Sequence, residues 1–350
     1  MDAIEKKLPQ WSKTAGLSLP PHLPLEQCSS EQTALYKAGL IQDWASETFV
    51  DLTGGFGVDC YYMGRHFQKA TYIEQKAELC EIVRHNYQLL KYETCQVVCG
   101  DSADCLRQMK HVQMIYLDPA RRDNYGRRTY AIEDCTPNIL TLNSLLLEKA
   151  DKVMVKLSPM FDWHKAVSDL KGVTEVHIVS VCNECKELLL IMEKTERPFR
   201  LICVNILSDG TLQTFSPTSH HAASTPSSKS ASPSTLFEPN ASIMKAGCFR
   251  EIEEAFGVEQ ISSNSHLFLS DHPVADFPGR CFVIQGVTTL NKKEIRENLK
   301  DISKANITVR NFPLSAQDLR KRLKLADGGD IYLFATTTKD KKHLIYICKK

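Results

Sequence analysis

The stretch that decides the fold reads FVDLTGGFG and spans residues 49–57. A short apolar strand ends in Asp51 and runs directly into a turn that contains Gly54, Gly55 and Gly57. Glycine permits positive φ and lets a ligand approach the backbone closely. Because a helical pattern follows, the stretch predicts a nucleotide-binding strand–turn–helix unit, with a ligand-free tight turn as the alternative.

The details of the turn select among nucleotides. A dinucleotide fingerprint places a third glycine where this chain has Cys60. The carboxylate of Asp51 is a poor neighbour for a pyrophosphate, but it suits a ligand with a cationic head. The ammonium and sulfonium groups of S-adenosylmethionine (SAM) match that requirement, so we expect SAM as the cofactor.

Composition limits the class of protein. A chain of 350 residues predicts two or three domains, and 43% hydrophobic with 24% charged residues indicates globular folding. The 13 cysteines follow no disulfide framework, and the sequence shows neither a secretory signal nor an apolar run that could span a bilayer. We therefore expect reduced thiols, a cytoplasmic location and no membrane partner.

Charge is unevenly distributed along the chain. The net charge is +1, yet residues 291–350 hold 15 Lys and Arg against 7 Asp and Glu. A basic tail behind a mildly acidic body favours a polyanionic partner, and a merely solvated basic surface is the alternative.

Strand and helix patterns alternate from residue 48 onward. This alternation predicts an α/β fold with a Rossmann-like, mostly parallel seven-stranded sheet. The last two strands are separated by only a few residues, so they must form an antiparallel hairpin, which we place at the sheet edge. Small α+β modules follow at the C-terminus. The predicted strands span 49–51, 70–74, 96–99, 112–118, 152–157, 175–181 and 187–193.

Four acids follow the predicted strands at their carboxyl ends, where ligands of such sheets bind. They are Asp51, Glu74, Asp101 and Asp118. Glu74 has two acceptor oxygens for the two ribose hydroxyls, and Asp101 is placed to accept from the adenine amino group. Any one of them could be a solubilising loop residue, but four in register favour a single site.

The most specific motif is LDPARR at 117–122, which resembles the (D/N)PP(Y/R) motif of methyltransferases that act on bases. Pro119 fixes a rigid turn because proline has a fixed φ and no N–H. Asp118 can orient an exocyclic amine by accepting its hydrogen bond, so catalysis would consist mainly of positioning. Lys156 ends the next strand, where it could contact substrate phosphate, pair with Asp118 or be an ordinary strand-end lysine.

The arginines after this motif surround Tyr125. Arginine beside an aromatic ring is typical of single-stranded or flipped-base recognition, and a mobile charged loop is the alternative. A uracil-C5 enzyme would add a nucleophilic cysteine after the following strand, but the chain reads LSPM at 157–160, which favours an amine or ring nitrogen as the acceptor. Cys182 and Cys185 form one C-x-x-C pair, fewer ligands than a structural zinc site needs, so we expect no metal.

Six motifs together identify a family resemblance. They read EQCSSE at 26–31, DLTGGFGVD at 51–59, DPARR at 118–122, KLSPM at 156–160, NECKE at 183–187 and RNFP at 310–313. With them the chain resembles the bacterial class I SAM-dependent methyltransferases that carry a C-terminal THUMP-like domain. The prolines near the start predict an extended arm, and Ser29 with Gln32 fits a capping box that opens a helix, so residues 1–46 form an N-terminal arm and helix. Composition predicts a Ser/Pro-rich linker (216–235). The resemblance implies a methyltransferase domain (47–215), a ferredoxin-like module (236–285) and a basic THUMP-like domain (286–350).

The resulting hypothesis is SAM-dependent methyl transfer to a base nitrogen of tRNA or rRNA. The alternatives are a methyltransferase for protein or a small molecule, and a catalytically silent SAM-binding scaffold for RNA. The predicted cofactor-binding residues are Ser29, Asp51, Thr53, Gly54, Gly55, Gly57, Glu74, Asp101 and Asp118. The predicted catalytic residues are Asp118, Pro119, Arg121 and Lys156. The predicted RNA-binding residues are Arg121, Arg122, Tyr125, Arg127, Arg128, Lys321 and Arg322.

Overall fold

The computed structural model describes residues 2–20, 26–44, 46–121, 132–195, 197–217, 234–272 and 274–350. The chain divides into two compact units, Met1–Thr211 and Leu212–Lys350. Each unit has its own sheet and its own core, and each is described by itself below.

The first unit is built on one mostly parallel sheet. Its strands are β1 (Thr48–Asp51), β2 (Lys69–Glu74), β3 (Cys95–Cys99), β4 (Val112–Leu117), β7 (Ala150–Leu157), β8 (Val173–Val181), β9 (Glu184–Glu193) and β10 (Arg200–Ile206). A separate antiparallel pair is formed by β5 (Ala120–Arg121) and β6 (Cys135–Thr136). Within the first unit, the strands of the main sheet follow the order β3-β2-β1-β4-β7-β9-β8-β10. The predicted α/β class is confirmed.

The antiparallel hairpin differs in one respect from the sequence prediction. Strand β9 runs antiparallel to β8, as expected, but it also pairs antiparallel with β7 and so lies inside the sheet. Strand β10 then adds to β8 in parallel, outside the hairpin. The central strands are buried on both faces, which is why they read as continuous apolar runs.

Helices precede and connect these strands. They are α1 (Asp2–Lys7), α2 (Glu31–Ile41), α3 (Val58–Gly64), α4 (Ala77–Leu89), α5 (Ser102–Gln108), α6 (Ile139–Lys149) and α7 (Trp163–Asp169). Short 3₁₀ turns occur at Trp11–Lys13 and Ile132–Asp134. The sequence suggested a capping box that begins at Ser29, but the N-cap of α2 is Ser30, whose hydroxyl accepts from the Thr33 N–H at 3.3 Å.

The N-terminal segment is packed rather than simply extended, although its prolines predicted an extended arm. It starts with α1, and Leu8 and Trp11 are buried in the core. The Trp11 ring lies edge-on to Phe56, with 5.4 Å between ring centroids. This contact ties the segment to the glycine-rich turn, because Phe56 belongs to that turn.

The second unit contains a seven-stranded sheet in the order β13-β14-β12-β15-β18-β17-β16. These strands are β12 (Thr235–Pro239), β13 (Glu259–Gln260), β14 (Phe268–Ser270), β15 (Gly279–Thr288), β16 (Lys304–Arg310), β17 (Ala326–Thr337) and β18 (His343–Lys349), and β11 (Leu212–Phe215) precedes them. The helices are α8 (Ala241–Ala246), α9 (Phe249–Phe256), α10 (Lys292–Asn298) and α11 (Ala316–Leu323). The module boundary predicted between residues 285 and 286 falls within β15, which pairs with both β12 and β18.

Candidate functional site

The glycine-rich turn has the backbone that the sequence requires. Gly55 and Gly57 adopt φ of 54° and 81°, which favours glycine at both positions. Gly54 has a different reason: a Cβ there would lie 2.0 Å from the ring of Tyr72, whose hydroxyl donates to the Gly55 carbonyl at 2.6 Å. Close packing against a tyrosine therefore accounts for Gly54 without a ligand.

The end of β1 is connected to the end of β4 through Thr53. The Thr53 N–H donates to Asp51 Oδ1 at 2.9 Å, and Thr53 Oγ1 accepts from the Asp118 N–H at 2.6 Å. Because β1 lies between β2 and β4, the carboxyl ends of these strands lie side by side. The turn is thereby fixed against the DPAR motif.

Asp51 is a carboxyl group that is almost completely removed from solvent, with 1% of its surface exposed. Burial raises the pKa of this carboxyl well above its usual range, although the bond from Thr53 opposes the shift. The neighbouring carboxylates of Asp59, Asp118 and Glu74 raise the pKa further. A cation placed beside Asp51 would favour its ionised form, so the position suits a positively charged ligand.

Glu74 and Asp101 lie at the next two strand ends, and both hold backbone groups. Glu74 accepts from the Gly55 N–H at 3.1 Å and from the Lys76 N–H at 2.9 Å, one bond to each oxygen. Asp101 caps α5 through Oδ1, which accepts from the N–H groups of Ala103 and Asp104. A carboxylate has about four acceptor positions, so both side chains keep capacity for a ligand.

We call Asp118, Pro119 and Lys156, at the carboxyl ends of β4 and β7, the acceptor edge. Asp118 lies directly after β4. Asp118 Oδ2 lies 2.5 Å from Lys156 Nζ, and the two side chains are 35% and 11% exposed. Burial by itself lowers the pKa of Lys156, but the charge of Asp118, with help from other carboxylates, outweighs it and raises the pKa. Lys156 therefore stays protonated at neutral pH. Pro119 is buried beside this pair.

The arginine-rich stretch that follows the DPAR motif is only partly described. The Arg121 backbone pairs with Cys135. The predicted RNA contacts Arg122, Tyr125, Arg127 and Arg128 lie outside the described residues.

A buried ionic cluster next to the acceptor edge was missed by the site prediction. Lys37 on α2 is completely buried and lies 3.1 Å from Asp59 and 2.9 Å from Glu187. Asp59 Oδ2 also accepts from the Tyr116 hydroxyl at 2.7 Å. One signal was present in the sequence, since Lys37 falls on the apolar face of the predicted helix, where a lysine needs a buried partner.

Ser29 joins this cluster to the acceptor edge. Its hydroxyl donates to Asp59 Oδ2 at 2.7 Å and accepts from Lys37 Nζ at 3.0 Å and Lys156 Nζ at 3.3 Å. These three bonds use the full hydrogen-bonding capacity of a hydroxyl. The predicted cofactor residue Ser29 is thus bonded entirely within the protein.

In the second unit, Lys321 and Arg322 lie on α11 with exposed side chains. Lys321 lines a shallow surface cavity of about 470 Å³ together with Gln317, Arg320, Lys324 and Leu325. Arg322 donates to the Leu290 carbonyl at 3.4 Å. The cavity has a strongly basic rim.

The described part of the chain contains neither a metal-binding cluster nor a membrane-spanning helix. No group of three or more His, Cys, Asp or Glu side chains in those ranges is arranged to hold a metal ion. No helix among the described residues combines the length and apolarity needed to cross a bilayer.

Sequence profiles of three families match successive parts of the chain. Residues 36–179 match "conserved hypothetical protein 95", residues 236–278 match a ferredoxin-like domain, and residues 279–350 match a THUMP domain-like family. No curated protein sequence matches the chain.

Among solved structures, the chain is similar to a candidate methyltransferase from Porphyromonas gingivalis W83. The two share 33% identity with a TM-score of 0.88, over 100% of this chain and 88% of the other. Two more distant likenesses are a candidate RNA methyltransferase from Pyrococcus horikoshii (17% identity, 53% of this chain, 96% of the other, TM-score 0.36) and an O-methyltransferase from Bacillus cereus (10%, 55%, 91%, 0.38). These two are too remote to carry an argument about activity.

The sheet with its internal antiparallel strand, the order of the three profiles and the full-length likeness agree with one another. The chain belongs to the class I methyltransferase family in which a ferredoxin-like and a THUMP-like domain follow the catalytic domain.

Proposed function

We propose that this protein transfers a methyl group from SAM to a base nitrogen of a structured RNA, either tRNA or rRNA. The observation that carries the proposal is the row of acids at the carboxyl ends of β4, β1, β2 and β3, with the buried Asp51 at its centre. Such a row suits a ligand that carries both a cationic head and hydrogen-bond donors along its length.

The residues present fit SAM. Asp51 would accept from the ammonium group, Glu74 from the ribose hydroxyls and Asp101 from the adenine amino group. The turn formed by Thr53, Gly54, Gly55 and Gly57 would lie against the ligand, and Asp118 borders it. When bound, SAM supplies an electrophilic methyl group that is already activated by its sulfonium.

On the acceptor side, the protein's task is positioning. The Asp118 carboxylate would accept a hydrogen bond from the amine and so direct its lone pair. Lys156 remains charged beside Asp118 and is therefore unsuited to act as a base. Pro119 holds the turn rigid, and Arg121 is proposed to contact the RNA at its edge.

Delivery of RNA is assigned to the basic residues. We propose that Arg122, Tyr125, Arg127 and Arg128 approach the target nucleotide, whereas Lys321 and Arg322 contact phosphates elsewhere on the RNA. The THUMP-like domain and its excess of 8 positive charges in residues 291–350 support this assignment. We place the reaction in the cytoplasm, since the 13 cysteines follow no disulfide framework.

The test is transfer of radiolabelled methyl groups from SAM to bulk RNA prepared from cells that lack the gene. We expect label in RNA, and we expect Asp118→Ala to abolish transfer while SAM affinity, measured by calorimetry, persists. Label that enters protein or small molecules instead would support the rival substrates. SAM binding without any transfer would indicate a silent scaffold, and either result would overturn the proposal.

A further inference from the structure

Lys37 is the most completely enclosed charge in the first unit that the proposed reaction does not use. Its side chain has no exposed surface. Its ammonium donates to both carboxylate oxygens of Glu187 at 2.9 Å and to Ser29 Oγ at 3.0 Å, and it forms an ion pair with Asp59 Oδ1 at 3.1 Å. An ammonium has three donors, so its bonding capacity is filled.

The partners of Lys37 come from separate parts of the fold. Asp59 lies in the first turn of α3, directly after the glycine-rich turn, and Glu187 lies in β9. Ser29 precedes α2. The Lys37 ammonium on α2 therefore links the residues directly after the glycine-rich turn, strand β9 and the segment before α2.

Ser29 carries the connection to the acceptor edge. Its hydroxyl accepts from both Lys37 and Lys156, and Lys156 in turn lies 2.5 Å from Asp118. If the Lys37 ammonium is removed, the Ser29 hydroxyl loses a donor and the hydroxyl can rotate. Lys156 and Asp118 then lose one of the contacts that define their orientation.

Stability does not account for this cluster. Buried ion pairs contribute little more to the free energy of unfolding than well-packed apolar residues of the same volume, because the cost of desolvation offsets the attraction between the charges. Strand β9 also provides Glu193, which pairs with Lys152 of β7 at 2.9 Å, at the opposite end of β7 from Lys156. Of these two lysine–glutamate pairs, only Lys37–Glu187 reaches Ser29.

We infer that Lys37 is a positioning residue for methyl transfer: held by Asp59 and Glu187, it fixes the Ser29 hydroxyl, which orients the Lys156–Asp118 pair toward the acceptor. This inference rests on the proposed function for its kinetic consequence. Lys37 touches neither donor nor acceptor in this role and acts through Ser29.

The experiment compares Lys37→Met, Ser29→Ala and the double variant with the wild-type protein, using bulk RNA from cells that lack the gene. We expect kcat to fall about tenfold to a hundredfold in each single variant, since small misplacements of reacting groups cost that much. SAM affinity and the KM for RNA should stay within about twofold. Because both changes break one chain of contacts, the double variant should lose no more than the single ones.

Two further variants separate positioning from folding. Lys37→Met with Glu187→Gln removes one positive and one negative charge, so it keeps the charge balance and should fold even if Lys37→Met does not; its kcat should be equally low. Lys152→Met is the matched control, because it breaks another lysine–glutamate pair that involves β9 and should leave kcat unchanged.

Hydrogen–deuterium exchange of residues 26–36 gives a readout without any reaction. Faster exchange in Lys37→Met than in Lys152→Met supports the inference, and equal exchange in the two overturns it. If the wild-type protein methylates no RNA, the proposed function fails while this comparison still decides whether Lys37 holds the Ser29 segment. If the wild-type protein is active and Lys37→Met is equally active, the inference is wrong.

Discussion

Replacement of Asp51 by asparagine should separate ligand binding from stability. The amide keeps an oxygen for the Thr53 N–H bond of 2.9 Å but removes the charge. A hydrogen bond to a charged group contributes about 1.5–3 kcal/mol. Loss of the ionic partner of the SAM ammonium should therefore weaken SAM binding roughly 10- to 150-fold.

The stability of the protein without SAM should change in the opposite direction, because the substitution removes a cost of burying a charge. The pKa of Asp51 is raised in the folded state, chiefly by burial, so the folded state holds a proton that the unfolded state has lost. Stability from this group is then greatest below the ordinary carboxyl pKa and falls as pH rises toward the raised value. Asp51→Asn removes this loss, so the Tm of the empty variant at pH 8 should equal or exceed that of the wild-type protein.

Calorimetric titration with SAM between pH 5 and pH 8 tests both effects. Wild-type affinity should rise with pH, because the cation binds the ionised carboxylate, and affinity of the variant should depend less on pH. Asp151→Asn is the control, since that exposed aspartate lies near the amino end of β7, away from the carboxyl ends of the strands, and should change nothing. Wild-type SAM affinity in Asp51→Asn would show that the charge of Asp51 does not bind the SAM ammonium.

Three other substitutions test packing and charge. Gly54→Ala should lower the free energy of unfolding by about 1–3 kcal/mol in denaturant titrations, because its Cβ would overlap the ring of Tyr72. Gly39→Ala is the control: a Cβ on this helical residue meets no other atom, so the free energy of unfolding should rise by about 0.5–1 kcal/mol. Glu238→Gln should cost about 1–3 kcal/mol by the same measurement, since this buried side chain pairs with two partly exposed arginines. Lys321→Ala should weaken RNA binding and reduce the slope of log affinity against log salt concentration by about 0.9 per lost phosphate contact. Lys339→Ala is the control: this lysine is already paired with Glu259, so neither RNA affinity nor the slope should change.

Much of the fold could be predicted because its signals are local. Strand and helix alternate in short periodic segments, and the acids that end β1 and β2 fall at residues 51 and 74, where the sequence placed them. The few residues between β8 and β9 predicted their antiparallel pairing. The insertion of β9 between β7 and β8 depends on contacts between strands, and no local sequence pattern predicts it.

The residues that the site prediction missed depend on distant contacts. Lys37 and Glu187 are 150 positions apart in sequence, and only the folded sheet brings them to 2.9 Å. Conversely, Ser29 was predicted at the cofactor, while its hydroxyl is occupied by Lys37, Lys156 and Asp59. Such polar clusters have no periodicity, so a single sequence indicates only that a lysine lies on an apolar helix face.

The most direct test of the central claim is a crystal structure of the protein with S-adenosylhomocysteine, the demethylated product of SAM. We expect the ligand at the carboxyl ends of β1 to β4, with its ammonium at Asp51, its ribose at Glu74 and its adenine beside Asp101. Ligand density at another surface, or at these strand ends with the ammonium away from Asp51, would contradict this expectation.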